Sequence, residues 1–396
     1  MRFTFILLLF CKLFLGATPN SWTKITDFSG TPRTGASAFV INDKAYLTNG
    51  YDGNTYKNGL YRYVKSFDVW EKITDFPAMP RIQAISFAIG SKGYFGSGQG
   101  VQAYTKDFWE FDTLTLAWTQ KADIGGDARK SACGLAFNDK GYVGLGQSST
   151  GYLKDWWEYN PISNSWTQKA NYAGTARREA SAFTASDACY ITCGFDGNFK
   201  NDTWAYNPLT NSWTAKMPFT GTARYNATSF TIGNSGFVGL GYDNTLQYCN
   251  DMWQFNPYNN SWTKVMDFGG SAREGASAFV LNNEAYLCLG YDNAYKYDVW
   301  KYTPDISVGI SETTMITEIV SLYPNPVSEA LTVTIKKPSI NATLVVINNL
   351  GERIYGQSLV KEQQQINTTQ WPNGLYHVSI IQNNQVVSTE KIIKIK

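Results

Sequence analysis

The stretch Asp-Trp-Trp-Glu-Tyr-Asn-Pro-Ile-Ser-Asn-Ser-Trp-Thr, residues 155–167, decides the fold. Two short aromatic runs flank Asn160-Pro161, where proline presets φ and cannot donate to a strand ladder. Short apolar runs separated by such turn residues are typical of a β-hairpin. The stretch therefore predicts two antiparallel strands joined by a tight turn.

The pattern recurs along the chain with a period of 47 to 49 residues. One tryptophan column contains Trp22, Trp70, Trp118, Trp166, Trp213 and Trp262. A second aromatic column contains Tyr61, Trp109, Trp157, Trp204, Trp253 and Trp300. An arginine column contains Arg33, Arg81, Arg129, Arg177, Arg224 and Arg273. Self-similarity at a fixed period of this length indicates a repeat architecture.

Each repeat predicts four antiparallel strands. A small-residue run follows the arginine, a second run ends at a glycine such as Gly50, and the hairpin supplies strands three and four. Four-stranded sheets that repeat radially form a β-propeller, with small residues at the axis and aromatic residues in the widening gaps. We therefore predict an all-β fold with six blades over residues 20–304, in which residues 21–26 complete the last blade and close the ring.

Composition is typical of a folded chain without a nucleic-acid partner. Apolar residues make up 43% and aromatic residues 15% of the 396 residues, which excludes bulk disorder. The net charge is +2, and Arg2 and Lys12 of the N-terminal leader account for this excess. Nucleic-acid binders need a basic surplus, so no such partner is predicted. His377 is the single histidine, and neither a metal site nor a cofactor is predicted.

Residues 1–17 are interpreted as a secretory signal peptide, because a basic start precedes an apolar run and small residues. No later stretch approaches 18 apolar residues, so no transmembrane segment is expected after its removal. Five further cysteines are interpreted as small buried strand residues: Cys133, Cys189, Cys193, Cys249 and Cys288.

The aromatic pattern stops after Pro304. Residues 305–320 predict a linker, and the alternating apolar runs of residues 321–396 predict a small Ig-like β-sandwich. This tail has three further motifs: Tyr323-Pro324-Asn325-Pro326 at its start, Asn349-Leu350-Gly351 at its centre and Gly374-Leu375-Tyr376 near its end.

Two family resemblances follow from these motifs. The unit Asp-x-Trp-x-Tyr-Asn-Pro, Asn-Ser-Trp-Thr and arginine is similar to kelch repeats, although the second strand ends on one glycine instead of the pair typical of that family. The tail resembles the C-terminal sorting domain of type IX secretion, and an ordinary Ig-like accessory domain is the alternative. The first resemblance implies a propeller, and the second implies export by the type IX machinery across a Bacteroidetes-type outer membrane, with release or surface attachment.

The arginine column is the first candidate site. Matching positions in kelch propellers often point to the mouth of the central channel, and converging guanidiniums would bind a carboxylate or sulfate there. We predict this ligand role for Arg33, Arg81, Arg129, Arg177, Arg224 and Arg273. The alternative is that each arginine pairs with an acid or carbonyl of a neighbouring blade and only locks the blades together.

A second candidate ring follows the glycine at the end of the second strand. Exposed aromatic residues beside acids suit sugars, since a flat ring packs on the apolar sugar face while polar groups bind hydroxyls. The predicted members are Tyr51, Asp52, Phe195, Asp196, Tyr242, Asp243, Tyr291 and Asp292, with Gln99 and Gln147 at the matching places of two repeats. The alternative is that they form Asx turns and inter-blade contacts.

Glu179 and Glu274 each follow an arginine and could act as a general acid or base. We expect the neighbouring cations to lower their pKa values, which disfavours a base near pH 7 and favours structural ion pairs. No catalytic residue is therefore assigned.

Three functions remain open on the sequence. The first is an exported or cell-surface, non-catalytic binding propeller that recognises an acidic glycan, or a protein segment carrying carboxylates, at its axial face. The second is a sugar mutarotase or epimerase resembling bacterial kelch sialate epimerases. The third is a structural or adhesive surface protein that uses its blade edges.

Overall fold

The computed structural model describes residues 20–186, 188–304, 320–335, 342–348, 353–359, 363–382 and 385–395. In these residues the regular elements are β-strands, and no helix is long and apolar enough to cross a membrane. The chain divides into two compact units, Met1–Ile306 and Ser307–Lys396. The predicted signal peptide and residues 305–319 of the predicted linker lie outside the described residues.

The first unit contains six four-stranded antiparallel sheets, numbered here along the chain. Sheet 1 consists of Ser37–Ile41, Lys44–Thr48, Gly59–Val64 and Val69–Asp75. Sheet 2 consists of Ile85–Ile89, Lys92–Gly96, Phe108–Asp112 and Ala117–Lys121. Sheet 3 consists of Cys133–Phe137, Lys140–Gly144, Trp156–Asn160 and Ser165–Gln168.

Sheets 4 to 6 repeat the same order. Sheet 4 consists of Ser181–Ala185, Ala188–Thr192, Thr203–Asn207 and Ser212–Lys216. Sheet 5 consists of Thr228–Ile232, Ser235–Gly239, Met252–Asn256 and Ser261–Lys264. Sheet 6 consists of Ser277–Leu281, Glu284–Cys288, Val299–Thr303 and the N-terminal Ser21–Ile25. Two short ladders lie in the loops: Gln147–Ser148 with Gly151–Tyr152, and Arg224–Tyr225 with Tyr242–Asp243.

The N-terminal strand connects sheet 6 to both of its neighbours. It pairs antiparallel with Val299–Thr303. Trp22 Nε1 donates to the carbonyl of Met266, which follows sheet 5, at 3.3 Å. Thr26 N donates to Asp68 Oδ2 of sheet 1 at 3.1 Å. The strand therefore covers an exposed sheet edge and joins the two ends of the repeat array.

Backbone hydrogen bonds join the inner ends of all six sheets in a closed cycle, which we call the axial ring. Its members each stand two residues after a column arginine: Gly35, Gln83, Ser131, Glu179, Asn226 and Gly275. Each N–H donates to the carbonyl of the preceding member, and Gly35 N donates to Gly275 O, at 3.0 to 3.3 Å. A closed ring of four-stranded sheets is a β-propeller.

Burial is greatest in the second strand of each sheet and least in the outer strand, which explains where the residue types lie. In sheet 4 the first strand alternates between buried and half-buried positions, the second strand is buried throughout, and Ser212–Lys216 is mostly exposed. Trp213 of this outer strand donates from Nε1 to the carbonyl of Ala170 at 2.9 Å, across the gap to sheet 3. The aromatic columns therefore fill and pin the widening space between neighbouring sheets.

The second unit contains two antiparallel sheets over one core. One consists of Val320–Tyr323, Ala330–Ile335 and Gln363–Asn367. The other consists of Ala342–Asn348, Arg353–Leu359, Gly374–Gln382 and Gln385–Lys394. Val333 and Ile366 of the first sheet and Val346 and Ile380 of the second belong to the same buried cluster. The two sheets of this unit therefore share one apolar core.

Candidate axial binding site

The six column arginines lie inside the sheets and are at most 2% exposed. In sheet 4, Arg177 Nη1 donates to Asp202 Oδ1 at 2.5 Å and to the carbonyl of Cys193 at 3.0 Å. Asp202 Oδ2 also accepts from Trp204 Nε1 at 2.9 Å. Burial raises the pKa of Asp202, but the hydrogen bond and charge of Arg177 together with the hydrogen bond from Trp204 outweigh it and hold this pKa below its usual value. The same arginine–aspartate pairing recurs in sheets 2, 3, 5 and 6 through Asp107, Asp155, Asp251 and Asp298.

This geometry corrects the prediction that the arginines line the channel mouth for a ligand. A buried guanidinium must have its charge and donors satisfied, and the aspartate of its own sheet does so. The side chains lock each sheet internally, whereas the arginine backbones join neighbouring sheets. Gly194 N donates to Arg224 O at 2.8 Å, and Gly290 N donates to Arg33 O at 2.9 Å.

Sheet 1 departs from this pattern. Gly59 stands two residues before Tyr61, where the other sheets have the aspartate. Within the described part of the chain Arg33 forms no ion pair, and it donates to the carbonyls of Thr31 and Asn49 at 3.0 Å. Its guanidinium lies 5.1 Å from the ring centroid of Phe28. Burial consequently lowers the pKa of Arg33.

The predicted aspartates of the second ring shape their own loops. Asp52 accepts from the backbone N–H of Thr55 at 2.8 Å and forms an ion pair with Lys57. The matching contacts are Asp196 with Lys200 at 2.8 Å, Asp292 with Lys296 at 2.7 Å, and Asp243 with the Thr245 N–H at 2.9 Å. Because the carboxylates bind loop N–H groups and lysines, this corrects the expectation that they face ligand hydroxyls.

The aromatic members of the second ring lie half-buried in a continuous arc. Tyr152 contacts Phe195 with ring centroids 6.4 Å apart, and Tyr248 contacts Tyr291 at 6.3 Å. Successive ring contacts connect sheets 3, 4, 5, 6 and 1. The aromatic arc contains Tyr51, Tyr56, Tyr152, Phe195, Phe199, Tyr225, Tyr242, Tyr248, Tyr291 and Tyr295. These rings lie along five of the six sheets, at the same edge as the axial ring, where the column arginines precede the first strands.

The centre of this edge is formed by residues that differ from sheet to sheet. One and two positions after the column arginines stand Thr34-Gly35, Ile82-Gln83, Lys130-Ser131, Arg178-Glu179, Tyr225-Asn226 and Glu274-Gly275. The third position is alanine in all six sheets: Ala36, Ala84, Ala132, Ala180, Ala227 and Ala276. The axial ring and this alanine collar line a cavity of about 160 Å³.

Glu179 is the buried acid of the cavity. Its Oε1 accepts from Gln83 Nε2 at 2.8 Å and from Arg178 Nη1 at 3.0 Å. Its Oε2 is buried without a hydrogen-bond partner among the described residues, although Ser131 lies near enough to affect the carboxyl pKa. Burial raises the pKa of Glu179, and Arg178 and Lys130 only partly oppose this effect. Glu179 therefore lines the cavity and has one carboxylate oxygen without a hydrogen-bond partner among the described residues.

Glu274 is the second acid of the site. Burial raises its pKa to about 7, with Glu179 also raising it, while a hydrogen bond from Asn226 Nδ2 at 3.3 Å lowers it. The expectation that neighbouring cations lower both carboxyl pKa values is therefore wrong, because desolvation outweighs the charges.

Lys130 and Arg178 are the cations at this centre, and both are half-buried. Lys130 Nζ donates to Gln99 Oε1 at 2.7 Å, and burial lowers the pKa of this lysine. The Arg178 guanidinium lies 5.4 Å from the ring centroid of Phe195 and 5.8 Å from that of Tyr225. Sequence reasoning missed both residues as site members. The signal that could have found them is the position directly after each column arginine, where the residue type differs from repeat to repeat.

Four members of the axial ring are non-glycine residues in the left-handed backbone region. The φ angles are 57° for Gln83, 54° for Ser131, 54° for Glu179 and 52° for Asn226. Such backbone costs about 1 kcal/mol or more per residue and concentrates at functional sites. The closed hydrogen-bond cycle holds these residues in place.

Comparisons with known proteins agree with the two units. Residues 32–77 and 176–220 match the Kelch motif, and residues 321–396 match the Secretion system C-terminal sorting domain. The chain therefore carries kelch motifs and a type IX sorting domain, which indicates secretion and attachment at the cell surface.

One solved structure with the same fold is described as "Structure of YjhT". It is 15% identical, with a TM-score of 0.60, over 69% of this chain and 95% of that chain. No curated protein matches the sequence.

Proposed function

We propose that the protein is an exported, six-bladed binding propeller that recognises a glycan at its axial edge. The observation that carries this proposal is the arc of half-buried aromatic rings around a polar centre that differs from sheet to sheet. Aromatic faces pack on the apolar faces of sugars, and convergent polar groups fix their orientation. A cavity of about 150 Å³ holds a six-membered ring such as benzene, so the axial cavity has room for one ring.

The cations support an acidic glycan as the ligand. Lys130 and Arg178 supply donors beside the aromatic arc, and an arginine fork matches a carboxylate. The raised pKa values of Glu179 and Glu274 reduce the negative charge that would repel such a ligand. A protein segment that carries carboxylates has the same recognition chemistry.

The remaining architecture is part of the same proposal. Each of the six sheets is one blade, and Ser21–Ile25 closes the ring. Residues 1–17 are a signal peptide, residues 305–320 a linker, and the tail an Ig-like sandwich that the type IX machinery recognises. No nucleic acid, metal or cofactor is part of this function.

A binding screen with neutral sugars, sugar acids and acidic peptides tests the proposal. We expect the protein to bind an acidic sugar, and Lys130→Ala with Arg178→Ala to abolish binding. Lys92→Ala is the matched control, because Lys92 pairs with Asp112 at the opposite edge of sheet 2. Binding of acidic peptides but of no sugar would show that the ligand is a protein segment and not a glycan. Binding that survives both substitutions would reject the axial site.

A second candidate, sugar mutarotase or epimerase activity, is favoured by the position of Glu274. Its carboxylate accepts a hydrogen bond from the cavity-lining Asn226, and burial raises its pKa to about 7, the range in which a carboxyl group both accepts and donates a proton at neutral pH. Faster anomer exchange of a bound acidic sugar, lost in Glu274→Gln while binding persists, would establish catalysis. If the wild-type protein does not change the rate of anomer exchange of the sugar, binding remains the function.

A further inference from the structure

Five hairpin turns each present at least one strongly exposed apolar side chain, and in four of them it stands two residues after the third strand. These apolar tips are Phe67, Leu114, Ile162, Leu209 and Tyr258, and their exposures are 77, 89, 92, 90 and 58%. Single exposed apolar residues are common on protein surfaces. Here the apolar choice is repeated in every turn between a third and a fourth strand, which makes it a property of one edge of the ring.

The apolar tips lie at the edge opposite the candidate site. The third strand of each sheet is parallel to the first, because every neighbouring pair is antiparallel. The column arginine precedes the first strand, so the turn after the third strand lies at the other end of the sheet. The tips therefore belong neither to the aromatic arc nor to the axial cavity.

The turns hold the tips in place and carry little charge. Asn160 Oδ1 accepts from the N–H of Ile162 at 3.0 Å, and Asn207 Oδ1 accepts from the N–H of Leu209 at 2.9 Å. The turns of sheets 3 to 5, residues 160–164, 207–211 and 256–260, contain no charged residue. At these three turns, contact with an apolar phase would desolvate no ionised group of the turn itself, whereas the turn of sheet 1 contains Lys65 and Asp68.

The chain also leaves the ring at this edge. Val299–Thr303 is the third strand of sheet 6, and Pro304 follows it where the other sheets have their apolar turn. The sorting domain that indicates attachment at the cell surface follows in the sequence. The connection to that domain thus starts on the edge that carries the tips.

We propose that the apolar tips form a lipid-binding edge through which the propeller lies on a bilayer surface. The tips are one sheet apart and separated by polar turns, so a protein partner would need five matching pockets, whereas a fluid lipid surface meets all five without shape matching. Leucine, isoleucine, phenylalanine and tyrosine side chains are favourable at the boundary between headgroups and acyl chains. Binding of this kind leaves the axial edge directed away from the membrane.

Sedimentation of the full chain with vesicles of phosphatidylethanolamine and phosphatidylglycerol, at low and high salt, tests the proposal. We expect binding that salt changes little, and a triple variant Leu114→Ser, Ile162→Ser, Leu209→Ser that binds about tenfold more weakly or worse. The matched control is Val101→Ser with Leu246→Ser, which removes two exposed apolar residues from loops at the axial edge. This control should bind like the wild type.

Several results would overturn the lipid-binding edge. Wild-type protein that stays in the supernatant, a triple variant that still sediments, or an equal loss in the control would each do so. A wild-type dimer that the triple variant converts to a monomer would assign the tips to a second copy of the chain. Equal thermal unfolding of wild type and variants shows that the substitutions act on binding alone.

Discussion

The column arginines and the axial ring are two sets of six residues that lie two positions apart in the same repeats. The arginines are identical, buried and, in five sheets, paired with an aspartate of the same sheet. The axial ring keeps one backbone geometry and one hydrogen-bond cycle, but its side chains are glycine, glutamine, serine, glutamate and asparagine. Strict recurrence here marks what every sheet needs to fold. Variation on a constant backbone marks the place where a ligand can be recognised.

The largest expected effect comes from breaking a buried pair of the constant set. Arg177→Ala should destabilise the protein by about 3–5 kcal/mol, because it removes a fully buried side chain and leaves a cavity, in addition to leaving Asp202 without its cation. Denaturant unfolding measures this loss. Lys264→Ala, which removes the exposed pair with Asp267, should cost less than about 1 kcal/mol. Similar losses in the two variants would remove the structural role assigned to the arginines.

Sheet 1 tests whether the aspartate explains that effect. Arg33→Met should destabilise the protein by about 1–2 kcal/mol, clearly less than Arg177→Met, since Arg33 loses hydrogen bonds but no carboxylate is left unpaired. Both variants keep an apolar side chain of similar length in the buried position. A loss at Arg33 as large as that at Arg177 would show that packing, and not the ion pair, dominates.

The variable set predicts a stability difference between two substitutions at one position. Ser131 has φ of 54°, and Ser131→Gly should be more stable than Ser131→Ala by about 1 kcal/mol, because only glycine adopts this backbone without a steric penalty. Both variants lose the hydroxyl group, so their difference in unfolding free energy isolates the backbone. Equal stabilities would mean that the axial ring stores no strain.

The last effect is a pH dependence that Glu274 contributes. Its folded pKa of about 7 lies above its ordinary value of 4.5, so the folded state holds the proton more tightly between these values. Stability from this group is therefore complete below about pH 4.5 and is lost as the pH rises through 7. Glu274→Gln should flatten this part of the pH–stability curve. An identical slope in the variant would place the raised pKa elsewhere.

Sequence reasoning performed differently on the two sets. The kelch motifs, the sorting domain and the β-strand character of the repeats are confirmed. The arginine column was recognised, but its ligand role is corrected, since recurrence alone does not say whether a side chain points into a channel or into its own sheet. The aspartates of the second ring were also recognised, yet short-range hydrogen bonds with their own loops decide their role.

Lys130 and Arg178 are site residues that sequence reasoning did not find. Each directly follows a column arginine, and nothing in the neighbouring sequence distinguishes it from an ordinary surface cation. Arg178 is the sequence neighbour of Glu179, but only the packing of different sheets brings Gln83 to Glu179 and Tyr225 to Arg178. The same burial reverses the expected direction of the carboxyl pKa values.

The amino-acid sequence by itself determined the period, the strand pattern within each repeat and the change of module after Pro304, because turn residues and alternating apolar runs act over a few neighbouring residues. The tertiary structure decided which side chains hold the sheets together and which surround the axial cavity. That division depends on contacts between residues half a repeat or more apart and on desolvation, and both arise only when the strands and sheets pack together.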